Sequence, residues 1–152
     1  MLNLETLIRE QANAAFFMAR QGVEESIEKV IVSNLPTVED LQAGQMFAGE
    51  LSDGTEIVPD YTKITKRIKR SKGQPFDRVT LRDKGAFHQK IKAIYDAPRF
   101  SIFIDSTDVK SQMLKMKYSR DIFGLNDTFL DGLRISIEDE TITQTCKDFE
   151  NA

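Results

Sequence analysis

The stretch from Tyr61 to Lys92 constrains the fold more than any other, because it offers so little apolar material for a core. Eleven of its side chains are Lys or Arg and only Asp77 and Asp83 oppose them, a local charge of +9. The rest of the chain holds ten basic and twenty-two acidic residues, so a net charge of -3 conceals two oppositely charged regions. Ile64 and Ile68 stand four apart, so a helix over TKITKRIKR has a thin apolar stripe and a broad cationic face. SKGQP then breaks the pattern. The segment 60–79, poor in apolar residues and holding Gly73 and Pro75, reads as an extended basic loop or arm. The core has to come from the flanks.

Upstream, Leu4, Leu7, Ile8, Ala12, Ala15, Phe16 and Ala19 recur at helical spacing and predict a helix from Asn3 to about Gly22. Val23–Leu35 suits a second helix through Ile27, Val30 and Ile31, or a strand through KVIV; the helix is preferred. Pro36 is expected to stop it or to start a new element. MFAGELSDGTEIVP reads as strand, turn and strand, with Asp53-Gly54 at the turn.

Downstream, Thr80 followed three residues later by Asp83 is close to a capping box and predicts a short helix burying Leu81, Phe87 and Ile91. Gly85 inside that helix costs about 1 kcal/mol relative to Ala. KAIYDAPRFSIFI predicts a second hairpin broken at Asp96-Ala97-Pro98, with Phe100, Ile102 and Ile104 on one face and Ser101 and Phe103 on the other. Phe103 on the wet face asks to be covered by a helix, by another subunit or by a second core layer. Asp108 is placed to cap a helix burying Met113 or Leu114 and Lys117 or Tyr118. Gly124 centres a joint, and Asn126 or Asp127 caps a last helix carrying Phe129, Leu130, Leu133, Ile137 and Ile142.

At 152 residues the chain suits one domain, 1–152, with a core that needs neither metal nor disulfide. The expected fold class is α+β: an N-terminal helix or helix pair, a small antiparallel sheet from two hairpins, and C-terminal helices packed on it. No signal peptide or membrane span is expected, since no basic segment leads into an apolar run and the apolar stretches are short. Cys146 has no second cysteine to bridge and points to a reducing compartment.

Reactive chemistry finds little support. His88, the only histidine, lies among Lys84, Lys90 and Lys92, whose charge disfavours its protonated form. Cys146 lies near Asp148 and Glu150, which disfavour a thiolate. Glu138, Asp139 and Glu140 cluster without metal-site spacing, and the glycines form no phosphate loop. Neither a catalytic residue, a metal nor a cofactor is expected. The contact set expected from charge is Lys63, Lys66, Arg67, Lys69, Arg70, Lys72, Arg78 and Arg82, facing phosphates or an acidic protein surface. Tyr61 is the one aromatic in the densest part, so stacked single-strand recognition is disfavoured.

The run DGTEIVPDYTKITKRIKRSKGQPFDRVTLRDKGAFHQKIKA, followed by FSIFIDSTDVKSQMLKMKYSRDIFGLN, resembles small virion proteins encoded by phages and prophages of Bacteroidetes, including the crAss-like group. The likeness spans roughly Phe47 to Asn126. A more distant similarity, in element order, is to tail-completion or neck proteins of tailed phages. Asp53-Gly54 matches the family's hairpin turn, Tyr61 and Thr65 its YS..T position, Gly73-Gln74-Pro75 its bend, and Asp77 to Leu81 its helix entry. Lys84 stands where a Thr usually precedes the glycine at 85, His88 where Tyr is common, and Ser119 replaces the Gly of a KYG element.

The resemblance implies a structural role in the virion neck. Copies would form a ring, twelve by the family pattern, between portal and tail proteins, with DNA nearby and no membrane. The protein would be made in the host bacterial cytoplasm and reside in the virion. The alternative expectation is a phage-encoded nucleic-acid-binding module using the tract 61–92.

Overall fold

The structure is a computed structural model that describes residues 4–99 and 101–151, with side chains from residue 11 onward. Phe100 and the side chains of Leu4, Leu7 and Ile8, all given faces by the sequence pattern, lie outside the described set. The fold is α+β: an N-terminal helix, a two-stranded antiparallel sheet, and C-terminal helices packed against it. The chain resolves into two compact units, Asn34–Arg134 and the pair of segments Met1–Ser33 and Ile135–Ala152.

The first helix, α1, runs unbroken over Leu4–Ala48, through both Gly22 and Pro36. The expected stop at Pro36 is therefore corrected. Proline removes one backbone donor and crowds the preceding turn, at a cost of about 3 kcal/mol. Just beyond it Val38, Gln42, Gln45 and Met46 are all essentially buried, and that burial offsets the loss. The first expected hairpin is likewise reduced to a tight turn. Glu50 and Glu56 form a single bridge, and Leu51 N donates to Thr55 O at 2.8 Å. Asp53 Oδ1 accepts from Thr55 N at 2.9 Å while Gly54 takes φ +78°, so the turn itself forms as its residues dictate.

The basic segment 60–79, expected as an extended basic loop or arm, holds a helix over Lys63–Ser71, α2, followed by an irregular return. Thr62 caps it by accepting from Thr65 N at 3.2 Å. Gly73 then turns the chain at φ +64°, its N donating to Arg70 O at 3.1 Å, with Pro75 after it. Thr80 does not start a helix. Leu81 packs on the core with φ +51°, outside the helical region, so the short helix α3 begins only at Ala86 and ends at Gln89. Gly85 is its N-cap at φ +87°, a backbone state that suits glycine, rather than an interior position.

Strands β1 (Ile91–Asp96) and β2 (Ser101–Ser106) pair antiparallel with Ala93 opposite Ile104 and Ile94 opposite Phe103. Ile91 and Ala93 face inward, while Ile94 and Phe103 form an exposed apolar pair. Helix α4 (Ser111–Tyr118) buries Leu114 and Tyr118 and leaves Met113 and Lys117 outside. Helix α5 spans Asp127–Glu150, with Asn126 Oδ1 accepting from Phe129 N at 3.1 Å as its cap. Phe129 and Leu133 pack inward, whereas Leu130 and Ile142, expected on the buried face, are exposed.

Two buried glutamines join α1 to the segment before α5. Gln42 donates to Ile122 O at 3.0 Å and accepts from Gly124 N at 2.8 Å. Gln45 donates to Gly124 O at 2.9 Å and accepts from Asn126 N at 2.8 Å. Their amides do for this irregular segment what a neighbouring strand does for a ladder. Gly124 is required twice over: its φ is +114°, and a Cβ there would lie 3.0 Å from Ser52 Cβ.

In the other unit, Ser26 and Val30 of α1 are buried, and Asp148 of α5 accepts from Ser26 Oγ and Lys29 Nζ, each at 2.9 Å.

Candidate functional site

Folding sorts the eight basic residues expected to make contacts into different environments. Lys69 is turned inward, only 7% exposed. Its ammonium donates to Arg82 O at 2.5 Å and sits 4.8 Å from the Tyr61 ring centre. Thr80, wholly buried, receives that same ammonium at 3.4 Å and donates its own N–H to Tyr61 Oη at 3.0 Å. Lys69 is thus a structural cation whose charge is spent inside the unit rather than on its surface.

Most of the others are engaged nearby. Lys66 pairs with Asp60, and Lys72 with Asp83 at 3.0 Å. Those lysines hold both carboxyls below the usual aspartate range. Arg78 donates to Phe47 O and to Asp77 Oδ2, both at 3.1 Å. Arg70 lies over the Phe76 ring at 4.3 Å and Arg82 over Phe47 at 5.3 Å. Further along, Lys90 pairs with Asp108 at 3.1 Å and Lys92 with Glu39 at 3.0 Å.

Two of the eight, Lys63 and Arg67, are exposed and have no partner among the described residues. They stand one helical turn apart on α2, beside a second column made by Ile64 and Ile68, 73% and 48% exposed. The sequence marks Ile64 and Ile68 as the apolar stripe of this helix; the structure leaves that stripe uncovered. Lys84, beyond α2, is also exposed, and its charge acts on Asp83.

His88 lines a concavity of about 360 Å³ together with Phe47, Arg82, Lys84 and Gly85. Both of its ring nitrogens are shut off from solvent, and the ring stands edge-on to Phe87 at 5.9 Å. Burial pushes its pKa down from 6.5, and the Arg82 charge pushes it further. In this arrangement neither nitrogen meets solvent or a hydrogen-bond partner among the described residues. Among the described residues no group of three His, Cys, Asp or Glu is placed to hold a metal ion, and no helix is long and apolar enough to cross a membrane.

A second surface, whose Phe103 the sequence pattern marks as needing cover, lies on the same unit. Ile102, Phe103, Ile104, Leu125, Leu130 and Leu133 line an apolar groove of about 400 Å³. Its legible signal is the helical wheel of α5, which sets Leu130 at the margin between the packed Phe129 and Leu133 and the acidic side of the helix.

Comparison of the chain with protein families, with curated proteins and with solved structures found no match.

Proposed function

We propose that this chain is a non-enzymatic structural protein of a tailed-phage virion, a ring-forming component of the head-tail connector or neck. It is made in the host bacterial cytoplasm and works in the particle, where it contacts copies of itself and portal, tail or other neck proteins. The observation that carries the reading is the outer face of α2, where Ile64 and Ile68 are uncovered beside the unneutralised Lys63 and Arg67. An apolar column flanked by free cations is stabilised by an opposing surface of matching character. The enclosed His88 nitrogens support a role without proton transfer. The likeness of Phe47 to Asn126 to small phage virion proteins supports the place in the particle, and twelve copies is the ring size which that likeness suggests.

The test is the mass of the protein in solution together with its position in purified particles. A closed oligomer, present in every particle at the neck, is the expected result. Complete absence from particles overturns the reading. Duplex binding without self-association, losing about 0.9 log units of affinity per phosphate contact for each tenfold rise in salt, transfers the same cations to a nucleic-acid-binding role.

A further inference from the structure

We propose that copies of this chain join head to tail, with α2 of one copy seated in the apolar groove of the next. Ile64 and Ile68 then meet Leu130 and Leu133, while Lys63 and Arg67 meet Asp127 and Asp131. This contact rests on the assembly reading above and names the surfaces that would build it.

The two surfaces match in chemistry and in period. On α2 an apolar column, Ile64 and Ile68, runs beside a cationic column, Lys63 and Arg67, and all four side chains are exposed. On α5 the groove wall of Leu130 and Leu133 runs beside Asp127 and Asp131, which are exposed and have no partner among the described residues. Arg134, on the same side of that helix, is already engaged by another group. Lys63 to Arg67 and Asp127 to Asp131 are each four residues apart, about 6 Å along a helix axis, so both charge pairs can close at once. Leu130 is 46% exposed and Phe103, at the groove edge, 51%. Burying both columns together removes apolar surface from water on each partner.

Donor and acceptor surfaces are both open on the same chain, so neither fills the other internally. The contact is therefore heterologous, the type that closes into a ring or extends into a filament. A competing occupant is an extended strand. The register makes Ile94 and Phe103 a hydrogen-bonded pair, which turns the N–H and C=O groups of Ile102 and Ile104 away from β1. Among the described residues that edge has no partner, whereas the equivalent Ala93 N–H of β1 is taken by Glu39 at 3.1 Å. The free cations of α2 and the free carboxylates of α5 favour the helix.

Charge reversal tests the contact in the full-length protein. Lys63→Glu with Arg67→Glu gives one variant, and Asp127→Lys with Asp131→Lys the other; all four residues are exposed, and circular dichroism verifies that each variant folds. Sedimentation of each alone is expected to show self-association weakened at least about tenfold, as like charges now face one another. An equimolar mixture is expected to regain it, because each reversed α2 meets an oppositely charged groove. In a second pair, Ile64→Asp with Ile68→Asp and Leu130→Asp, mixing is expected to give a one-to-one dimer and nothing larger.

Failure of the charge-reversed mixture to reassemble overturns the contact, as does a wild-type protein that stays monomeric at high concentration. So does assembly indifferent to every α2 variant but blocked by Ile104→Pro, which assigns the groove to a strand. If wild type and all variants assemble and enter particles alike, the contact falls and the neck role stands. If the mixture reassembles but the protein is absent from particles, the contact stands and the neck role falls.

Discussion

At the scale of single residues, the interior beneath α2 carries more positive charge than its neighbours neutralise. Lys69 relies on Arg82 O, Thr80 and the face of Tyr61 rather than on a carboxylate. His88 shares that environment and stays neutral because of it: burial acts first, then the Arg82 and Lys69 charges. Its pKa in the unfolded chain is near 6.5 and in the fold lies lower. Between those values the unfolded state binds more protons, so the stability contributed by neutral His88 is fully present above about pH 6.5 and is lost as pH falls through the folded value. The lowered carboxylates, Asp105 and Glu39 among them, start from 3.8 and 4.5 and lose their contribution only in more acid solution. Urea midpoints measured from pH 7 to pH 5 are therefore expected to fall for the wild type and to stay nearly flat for His88→Gln. Parallel profiles for the two proteins would remove His88 as the cause.

At the scale of elements, the instructive case is α1, in which local chemistry argues for a break at Pro36 and burial overrides it. Pro36 is exposed and lacks the N–H that would close the turn onto Val32 O. Pro36→Ala restores that donor and is expected to raise the urea midpoint, the unfolding free energy gaining up to about 3 kcal/mol less roughly 0.4–1 kcal/mol from the looser unfolded chain. A lower midpoint would mean that the proline's bend is needed for packing. The same competition explains what the sequence left unread. Local patterns mark the N-terminal helix by helical spacing, the second hairpin by alternation, and α4 and the Asn126 cap by capping residues, because each is decided by residues close together in the chain. The first hairpin shrinks to a single bridge between Glu50 and Glu56, and its flank turns to another segment, Ser52 N donating to Asp121 O at 2.8 Å. Gln42 and Gln45 read as ordinary polar helix positions, since their partners at Ile122 to Asn126 lie about eighty residues away. The cationic face of α2 was legible as composition, but the inward turn of Lys69 and the uncovered Ile64 and Ile68 depend on where Tyr61 and Thr80 come to rest.

At the scale of the whole molecule, burial is unevenly shared along one continuous helix. Every described side chain from residue 11 to residue 21 is exposed, including Phe16 at 75% and Phe17 at 67%, whereas Val38, Gln42, Gln45 and Met46 are almost completely enclosed. An isolated helix of that length gains too little from its own hydrogen bonds to stay closed in water, so the exposed turns are held mainly by continuity with the buried ones. Hydrogen exchange on a dilute sample is therefore expected to divide α1. Amides from Gln11 to Gln21 should exchange close to the unprotected rate, and those from Val38 to Met46 about a thousandfold or more slowly, near the limit set by global unfolding. Uniform protection along the helix in dilute solution would overturn this gradient. Raising the concentration then separates intrinsic stability from assembly, because docking between copies should slow exchange in Lys63–Ser71 while leaving the already slow Val38 to Met46 amides unchanged.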